Sequence, residues 1–346
     1  MVLFTNHIFQ NQIYGGISLY FSKLISCMGV EKESIFTGFH INEFIEEGVG
    51  CKVPNFRYTS KIRSSINEYF LEKYIKKVKP NLIHYTYFTE NIVNKIPKIF
   101  TIYDMTVEKY PDLFPDSKKQ THTKRISCEN ADHIITISNS TKQDLMDEFG
   151  IASDQISVIH LGVDFTPPSN NPLVTDKPFI LYVGARYEYK NFKSLLYAYS
   201  KSNSKHDFDL VCFGPVSFDV EEQKIIHDLK ISESVFHVTG SNQLLAQYYT
   251  ESSLLVYPSL YEGFGLPIIE AMLYKTPVLC SKNSSLTEIG KEHVTYIDFD
   301  EFSSQIDFIL NNTSYNSCDV SDAYSYACQF TWNKCSTQTE SIYNKF

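Results

Sequence analysis

The sequence predicts an α/β protein built from two doubly wound domains, and three observations carry that prediction. The 346 residues exceed one ordinary core and suit two domains of about 150 to 180 residues each. Short apolar runs of the kind that form buried parallel strands alternate with stretches of helical period along the whole chain. Near the middle, Thr166-Pro167-Pro168-Ser169-Asn170-Asn171-Pro172, with Pro178 beyond it, is dense enough in Pro, Asn and Ser to be a linker. The expected organisation is a first domain at 1–166, a linker at 167–178, a second domain at 179–328 and a terminal helix at 329–346.

In the first domain, residues 2–5 form a strand, and Ile17, Tyr20, Phe21, Leu24, Ile25 and Met28 mark one face of the helix behind it. Gly15 and Gly16 open that helix, a place suited either to a phosphate or to a plain tight turn. Residues 61–79 hold six cations, Lys61, Arg63, Lys73, Lys76, Lys77 and Lys79, against Glu68 and Glu72, with Ile66, Tyr69, Phe70 and Tyr74 interleaved. Such a helix docks on anionic lipid or packs its apolar side on its own domain. Residues 81–85 and 98–103 are further strands. Asp104 follows the second at its carboxyl end, where open parallel sheets place ligands, and it either orients a substrate hydroxyl or caps a loop. A strand at 133–137 leads into Ser138-Asn139-Ser140-Thr141, a helix N-cap, and 155–160 is the last strand of the domain.

The second domain opens with a strand at 179–183, then Gly184-Ala185-Arg186-Tyr187-Glu188-Tyr189-Lys190-Asn191, then a helix with Phe192, Leu195, Leu196 and Tyr199 on one face and Asn191 as its N-cap. Two cations at one strand-to-helix turn suit a diphosphate, Arg as a planar fork and Lys as a point charge. Strands at 209–213, 235–239, 254–257 and 277–280 follow. After residues 254–257 comes Pro258-Ser259-Leu260-Tyr261-Glu262-Gly263-Phe264-Gly265-Leu266-Pro267, then Ile268-Ile269-Glu270. Gly263 and Gly265 let the backbone approach a ligand, Pro267 suits a helix start, and the helix N-terminus favours an anion. Glu262 and Glu270 bracket this loop and accept hydrogen bonds from hydroxyls. Dipole and backbone N–H for phosphate, with carboxylates for hydroxyls, describe a nucleotide sugar better than a bare nucleotide.

Glu262 and Glu270, separated by seven residues around Gly-Phe-Gly-Leu-Pro, resemble the signature of retaining glycosyltransferases of the GT-B fold. The resemblance implies two Rossmann-like doubly wound domains facing a cleft, with the terminal helix crossing back onto the first domain. It implies that Glu262 contacts the donor sugar, that Glu270 holds the nucleotide ribose, and that Gly263, Phe264, Gly265 and Leu266 line the donor. Gly184-x-Arg186 and Lys190-Asn191 are similar to the motif whose cations bind the pyrophosphate. Phe9-x-x-Gln12-x-Tyr14-Gly15-Gly16 is similar to the loop whose glycines lie against the donor diphosphate, with Leu19 where the family often has Arg. Tyr103-Asp104 resembles a His-Asp motif at the sugar site, Tyr103 replacing His, and residues 281–288 resemble the closing loop. The expected catalytic set is Glu262, Asp104, Arg186 and Lys190, with no metal and no cofactor. The donor is GDP-mannose first and a UDP-hexose next, and the acceptor is a saccharide, lipid-linked in cell-surface polysaccharide assembly. Two alternatives stand beside it, a non-catalytic subunit of the same fold and a metal-dependent transferase built on Asp207-Phe208-Asp209 or Asp298-Phe299-Asp300.

Composition narrows the classes further. A net charge of −9 argues against nucleic acid, and the acidity is uneven, with 18 Lys+Arg against 19 Asp+Glu in residues 1–165 and 13 against 21 beyond. The eight cysteines include no Cys-x-x-Cys pair and several lie in apolar runs, so they read as reduced core residues of a cytoplasmic protein. The N-terminus lacks a signal peptide's basic region, and no run reaches the ~18 apolar residues of a membrane span. Any membrane contact is expected to be peripheral, on the inner face of the plasma membrane, through residues 61–79.

Overall fold

A computed structural model describes residues 1–45, 49–55, 60–93, 95–312 and 315–346; the side chains of Lys61 and of 315–319, Cys318 among them, lie outside the described set. The chain divides into two units, Met1–Gly162 with Thr331–Phe346, and Val163–Phe330. Its strands in chain order are β1 (Val2–Phe4), β2 (Phe39–His40), β3 (Cys51–Lys52), β4 (Leu82–Tyr85), β5 (Lys98–Ile102), β6 (His133–Thr136) and β7 (Ile156–Val158) in the first unit. The second unit holds β8 (Phe179–Val183), β9 (Asp209–Phe213), β10 (Val235–Val238), β11 (Leu254–Tyr257), β12 (Val278–Cys280) and β13 (Thr295–Tyr296).

Both main sheets are parallel. Helices cover both faces of a parallel sheet, so its strands must be apolar on both sides. Phe179–Val183 and Leu254–Tyr257 meet that requirement, every residue of each being buried. The second unit has strand order β10-β9-β8-β11-β12-β13, in which the chain winds outward from β8 in one direction and then, after β10, in the other. The loops after β8 and β11 therefore flank the switch point, where doubly wound folds bind ligands. Phe192, Leu195, Leu196 and Tyr199, all buried, seal one face of this sheet as their helical spacing predicts.

The first unit has order β1-β4-β5-β6-β7, and Ile35 bridges Phe4 on the free side of β1, so β1 also stands at a switch point. Its first helix, Gly16–Met28, packs beside the terminal helix Trp332–Tyr343, with Tyr20 and Trp332 ring centroids 6.2 Å apart. The Tyr343 hydroxyl meets Nδ1 of the buried His84 at 2.5 Å, tying the last helix to β4.

The stretch rich in Pro, Asn and Ser has no helix or strand between residues 166 and 177, yet it is strapped to the second unit. Gln247 accepts from Ser169 Oγ at 2.6 Å and from Asn171 N at 3.2 Å, and its amide donates back to Asn171 O at 2.8 Å. The chain passes from one unit to the other earlier, at Gly162–Val163, and returns at Phe330–Thr331. A separate helix, Tyr315–Ala327, precedes the terminal one. Cys128, Cys212, Cys280 and Cys335 are buried, whereas Cys27, Cys51 and Cys328 are exposed, so not every cysteine is a core residue.

A Cβ on Gly162 would stand 2.3 Å from Trp332 N and 2.6 Å from Thr331 C, backbone atoms with no side-chain freedom to yield. Gly162→Ala is expected to cost about 1–3 kcal/mol of the first unit's stability, as overpacking does. Calorimetry checks this, and an unchanged melting temperature would mean that the terminal helix shifts at no cost.

Candidate active site

The loops after β8 and β11 meet through three side chains. Lys190, in the 3-10 turn Glu188–Lys190, places Nζ 2.5 Å from Glu262 Oε1 and 3.1 Å from the Tyr257 hydroxyl. Tyr257 closes the triangle by donating to the same Glu262 oxygen at 2.6 Å. Burial and the adjacent carboxylate push the Tyr257 phenol well above its usual range, so it remains a donor. The backbone of Glu262 is fixed as well. Its N–H donates to Ser284 Oγ at 3.0 Å, and Ser285 Oγ donates to its carbonyl at 2.8 Å. Both serines open helix Ser284–Gly290, so the later half of the stretch expected as a closing loop is helical, and its first turn bears directly on the glutamate.

Gly265 adopts φ 100°, a left-handed conformation, at the N-cap of helix Leu266–Leu273, and a Cβ there would meet Leu286 Cδ2 at 2.6 Å. No side chain caps this helix, and Pro267 occupies its first turn, where its missing N–H leaves one donor fewer to satisfy. Leu266 begins the helix, Phe264 is buried beneath the loop, and Gly263 lies between Glu262 and Phe264. Glu270 sits at the end of the first turn and accepts from the Tyr249 hydroxyl at 2.8 Å. Burial raises the pKa of Glu270, with the bond from Tyr249 acting in the opposite direction.

Arg186 departs from expectation. Its Nε and Nη2 form a bidentate pair with Glu222 at 2.8 and 3.2 Å, and Nη2 also donates to the carbonyls of Val216 and Ser217. Both side chains are about 95% buried, and the guanidinium carbon lies 4.9 Å from the Phe218 ring centroid. The reason lies downstream, where Glu222 is the third residue of a capping box with Asp219 and reaches back from helix Val220–Asp228. The guanidinium therefore fixes the loop, and the cation beside Glu262 is Lys190. Gly184, at φ 127°, faces open space, and Gly214 comes so close that a Cβ on it would stand 2.5 Å from Gly184 O. Asn191 does occupy the N-cap position of helix Phe192–Lys201, but its side chain accepts from Ser194 Oγ rather than from backbone.

Four expected site residues, Gly15, Gly16, Tyr103 and Asp104, lie in the first unit. Gly15 and Gly16 do open helix Gly16–Met28, but Gln12 Oε1 accepts from Ser18 N at 3.2 Å, and its amide lies where a Cβ on Gly15 would be, 2.3 Å away. Leu19, in that helix, is half-buried. Tyr103 does not reach the surface as a sugar contact requires. Its ring packs on Tyr20 at 5.6 Å, and its hydroxyl is buried with no hydrogen-bond partner among the described residues. The following residue, Asp104, accepts from Thr106 N at 2.8 Å and so holds the turn that leads into the short helix Thr106–Lys109, whose N-cap position is Met105. That turn is pinned by Lys124, which donates to Asp104 O at 3.1 Å and pairs with the buried Glu108.

The Asp-x-Asp triplets are occupied structurally. Asp209 starts β9 and accepts from Thr175 Oγ1 at 2.5 Å, and Asp298 Oδ1 accepts from Asp300 N at 3.0 Å. Among the described residues, no group of three or more His, Cys, Asp or Glu is placed to hold a metal ion.

Residues 166–323 match the family described as Glycosyl transferases group 1, and residues 34–166 match that described as Glycosyltransferase Family 4. The chain belongs to the GT-B glycosyltransferases. This glycosyltransferase is 28% identical over 216 residues to the O-antigen chain mannosyltransferase RfbU of Salmonella typhimurium, spanning 61% of its own length and 59% of that protein's. It is 27% identical over 264 residues to O-antigen chain mannosyltransferase B of Escherichia coli, 71% of this chain and 69% of that one. Among solved structures, Anabaena HepE in complex with UDP and glucose aligns with a TM-score of 0.76 at 16% identity, covering 100% of this chain and 99% of that one. WaaG, a glycosyltransferase involved in lipopolysaccharide biosynthesis, aligns at 0.75 and 13%, covering 99% of each. These structural likenesses establish the fold.

Tyr257, Tyr249 and Glu222, which have no role in the sequence reading, and Gln12, named there only as part of the Phe9–Gly16 motif, are the partners of the residues it singled out. Tyr257, as the last residue of a strand before the motif, was the one within reach of pattern. If Glu222 holds Arg186 as the structure shows, Glu222→Ala should cost about 3–5 kcal/mol, the range for breaking a buried pair. Denaturant titration measures it, and a loss below about 1 kcal/mol would show that the loop stands without the pair.

Proposed function

We propose that this glycosyltransferase moves a hexose from a nucleotide sugar, GDP-mannose before a UDP-hexose, to a saccharide carried on a lipid, with retention at the anomeric carbon. The observation that carries the reading is the Lys190–Tyr257–Glu262 triangle beside an uncapped helix N-terminus at the switch point. Lys190 and the helix N-terminus present positive charge to a departing diphosphate, so no metal is required there. When phosphate takes Lys190, Glu262 loses its cation and turns to the hydroxyls of the sugar, while Glu270 holds the ribose. The mannosyltransferase relatives favour mannose as the sugar. Arg186 positions the loop, and Asp104 holds the turn after β5.

The membrane reading rests on helix Ser60–Val78, in which Ile62, Tyr69 and Phe70 are 64, 56 and 45% exposed and lie with exposed Lys73, Lys76 and Lys77. Apolar side chains ringed by lysines suit the headgroup region of an anionic leaflet. Arg63 is buried and takes no part in that face. No helix of the described residues is long and apolar enough to cross a membrane. On this reading the contact is peripheral, with the enzyme on the cytoplasmic face.

Release of nucleoside diphosphate from a panel of GDP-mannose, UDP-glucose and UDP-N-acetylglucosamine tests the donor, and NMR of the product's anomeric proton tests retention. Activity should persist in EDTA. Lys190→Ala should lower turnover about ten- to a hundredfold, the value of a charge-assisted bond acting in the transition state. Unchanged kcat and donor KM would sink this assignment.

The two glutamates should separate kinetically. Ribose contacts change little as the glycosidic bond breaks, so Glu270→Gln should chiefly weaken nucleoside diphosphate binding, read by calorimetry. Glu262→Gln should depress kcat more than it weakens that binding. The reverse pattern would exchange their roles.

A further inference from the structure

Among the described residues, Arg63 is a buried cation with no counter-ion. In helix Ser60–Val78 it is 7% exposed, and its Nη2 donates to the backbone carbonyl of Gln10 at 2.8 Å. Its Nε and Nη1 are buried without any hydrogen-bond acceptor, and no carboxylate pairs with it among the described residues. Burial alone pulls its pKa down, with no neighbouring charge to hold it up. A charge removed from water without a partner is among the costliest arrangements a protein can hold.

The surroundings fix Arg63 rather than neutralise it. Asn67, one turn on, donates to Gln10 Oε1 at 2.7 Å and to Phe39 O at 2.9 Å, and its Oδ1 accepts from Phe39 N at 2.8 Å. These amides are satisfied, so the guanidinium is held in place while two of its nitrogens wait for acceptors. The place matters too. Gln10 lies in the loop that leaves β1, at the switch point of the first unit, and that loop runs on to Gly15 and Gly16.

We propose that Arg63 is the seat of an oxyanion carried by the acceptor, a phosphate ester or a carboxylate, which enters when the side chains over Nε and Nη1 give way. As an acceptor site this rests on the glycosyltransferase reading above; as an oxyanion site it stands without it. The phosphate would belong to a lipid-linked saccharide and the carboxylate to an acidic sugar.

Calorimetric titration of the full chain with geranyl diphosphate and, separately, with glucuronate distinguishes the two sources and needs no turnover. The wild type should bind one of them, and Arg63→Gln should bind it at least tenfold more weakly, with Arg63→Lys in between. Without ligand, Arg63→Gln should melt no lower than the wild type, because it removes an uncompensated charge. Inorganic phosphate should raise the melting temperature of the wild type more than that of Arg63→Gln, which keeps the phosphate site at Lys190. Binding of neither probe by the wild type, or equal binding by wild type and Arg63→Gln, overturns the proposal. An Arg63→Gln protein that melts far below the wild type while Arg63→Lys matches it overturns it as well, since the cation would then be structural. Failure of every donor in the turnover assay would count against the glycosyltransferase reading and leave these titrations interpretable.

Discussion

The ion pair of Lys190 with Glu262 joins the two loops on which the second unit's candidate chemistry depends. Each loop alone is a connection at the end of a parallel strand, and nothing in β8 or β11 dictates where its tip should rest. Because the pair is mostly buried, with side-chain exposures of 15 and 12%, water screens it less than it would a surface pair. Tyr257 is the last residue of β11, within the sheet itself, so its hydroxyl refers the pair to the rigid part of the fold. The serines at 284 and 285 add a third element, holding Glu262 by its backbone and leaving its carboxylate free to respond to charge.

Strands and helices of the second unit were legible because parallel strands covered on both faces must be apolar throughout. Residues 179–183, 209–213 and 254–257 satisfy that condition with few alternatives, and they are strands with those bounds. The glycine loop was legible for a different reason: Gly265 needs a positive φ, and Pro267 needs a helix start. What stayed hidden depends on pairs far apart in sequence. Arg186 and Glu222 are 36 residues apart, and a cation at a strand-to-helix turn reads the same whether it faces solvent or a buried carboxylate. Tyr103 follows β5 on the side that faces helix Gly16–Met28, and only tertiary packing shows that its hydroxyl turns inward. The short strands β2 and β3, of two residues each, are below what periodicity resolves.

Helix Ser60–Val78 shows how one run of cations divides. Arg63, Asn67, Leu71 and Ile75 recur every fourth residue and are buried, while Ile62, Ile66, Tyr69, Phe70 and Lys73 face out. Composition treated Arg63 and Lys73 alike. The helical period separates them, placing one guanidinium in the protein and one ammonium over an exposed tyrosine ring, 4.3 Å from its centroid.

Most of the expected ligand-facing groups are satisfied by the protein itself. Gln12 supplies an oxygen to the first turn of helix Gly16–Met28, Glu262 supplies one to Lys190, and Glu222 supplies two to Arg186. Each of these acceptors satisfies a donor that would otherwise be bare in a partly dry environment. Exchange for a ligand's oxygen is not equally easy for all three. Gln12 is a neutral side chain on a loop and Glu262 keeps 12% of its side chain exposed, whereas Glu222 is more deeply buried, bidentate and committed to a capping box. A ligand can therefore replace the first two by trading one oxygen for another, but displacing Glu222 would strand a carboxylate inside the fold. That asymmetry is the physical ground for giving Lys190 the phosphate and leaving Arg186 to hold the loop.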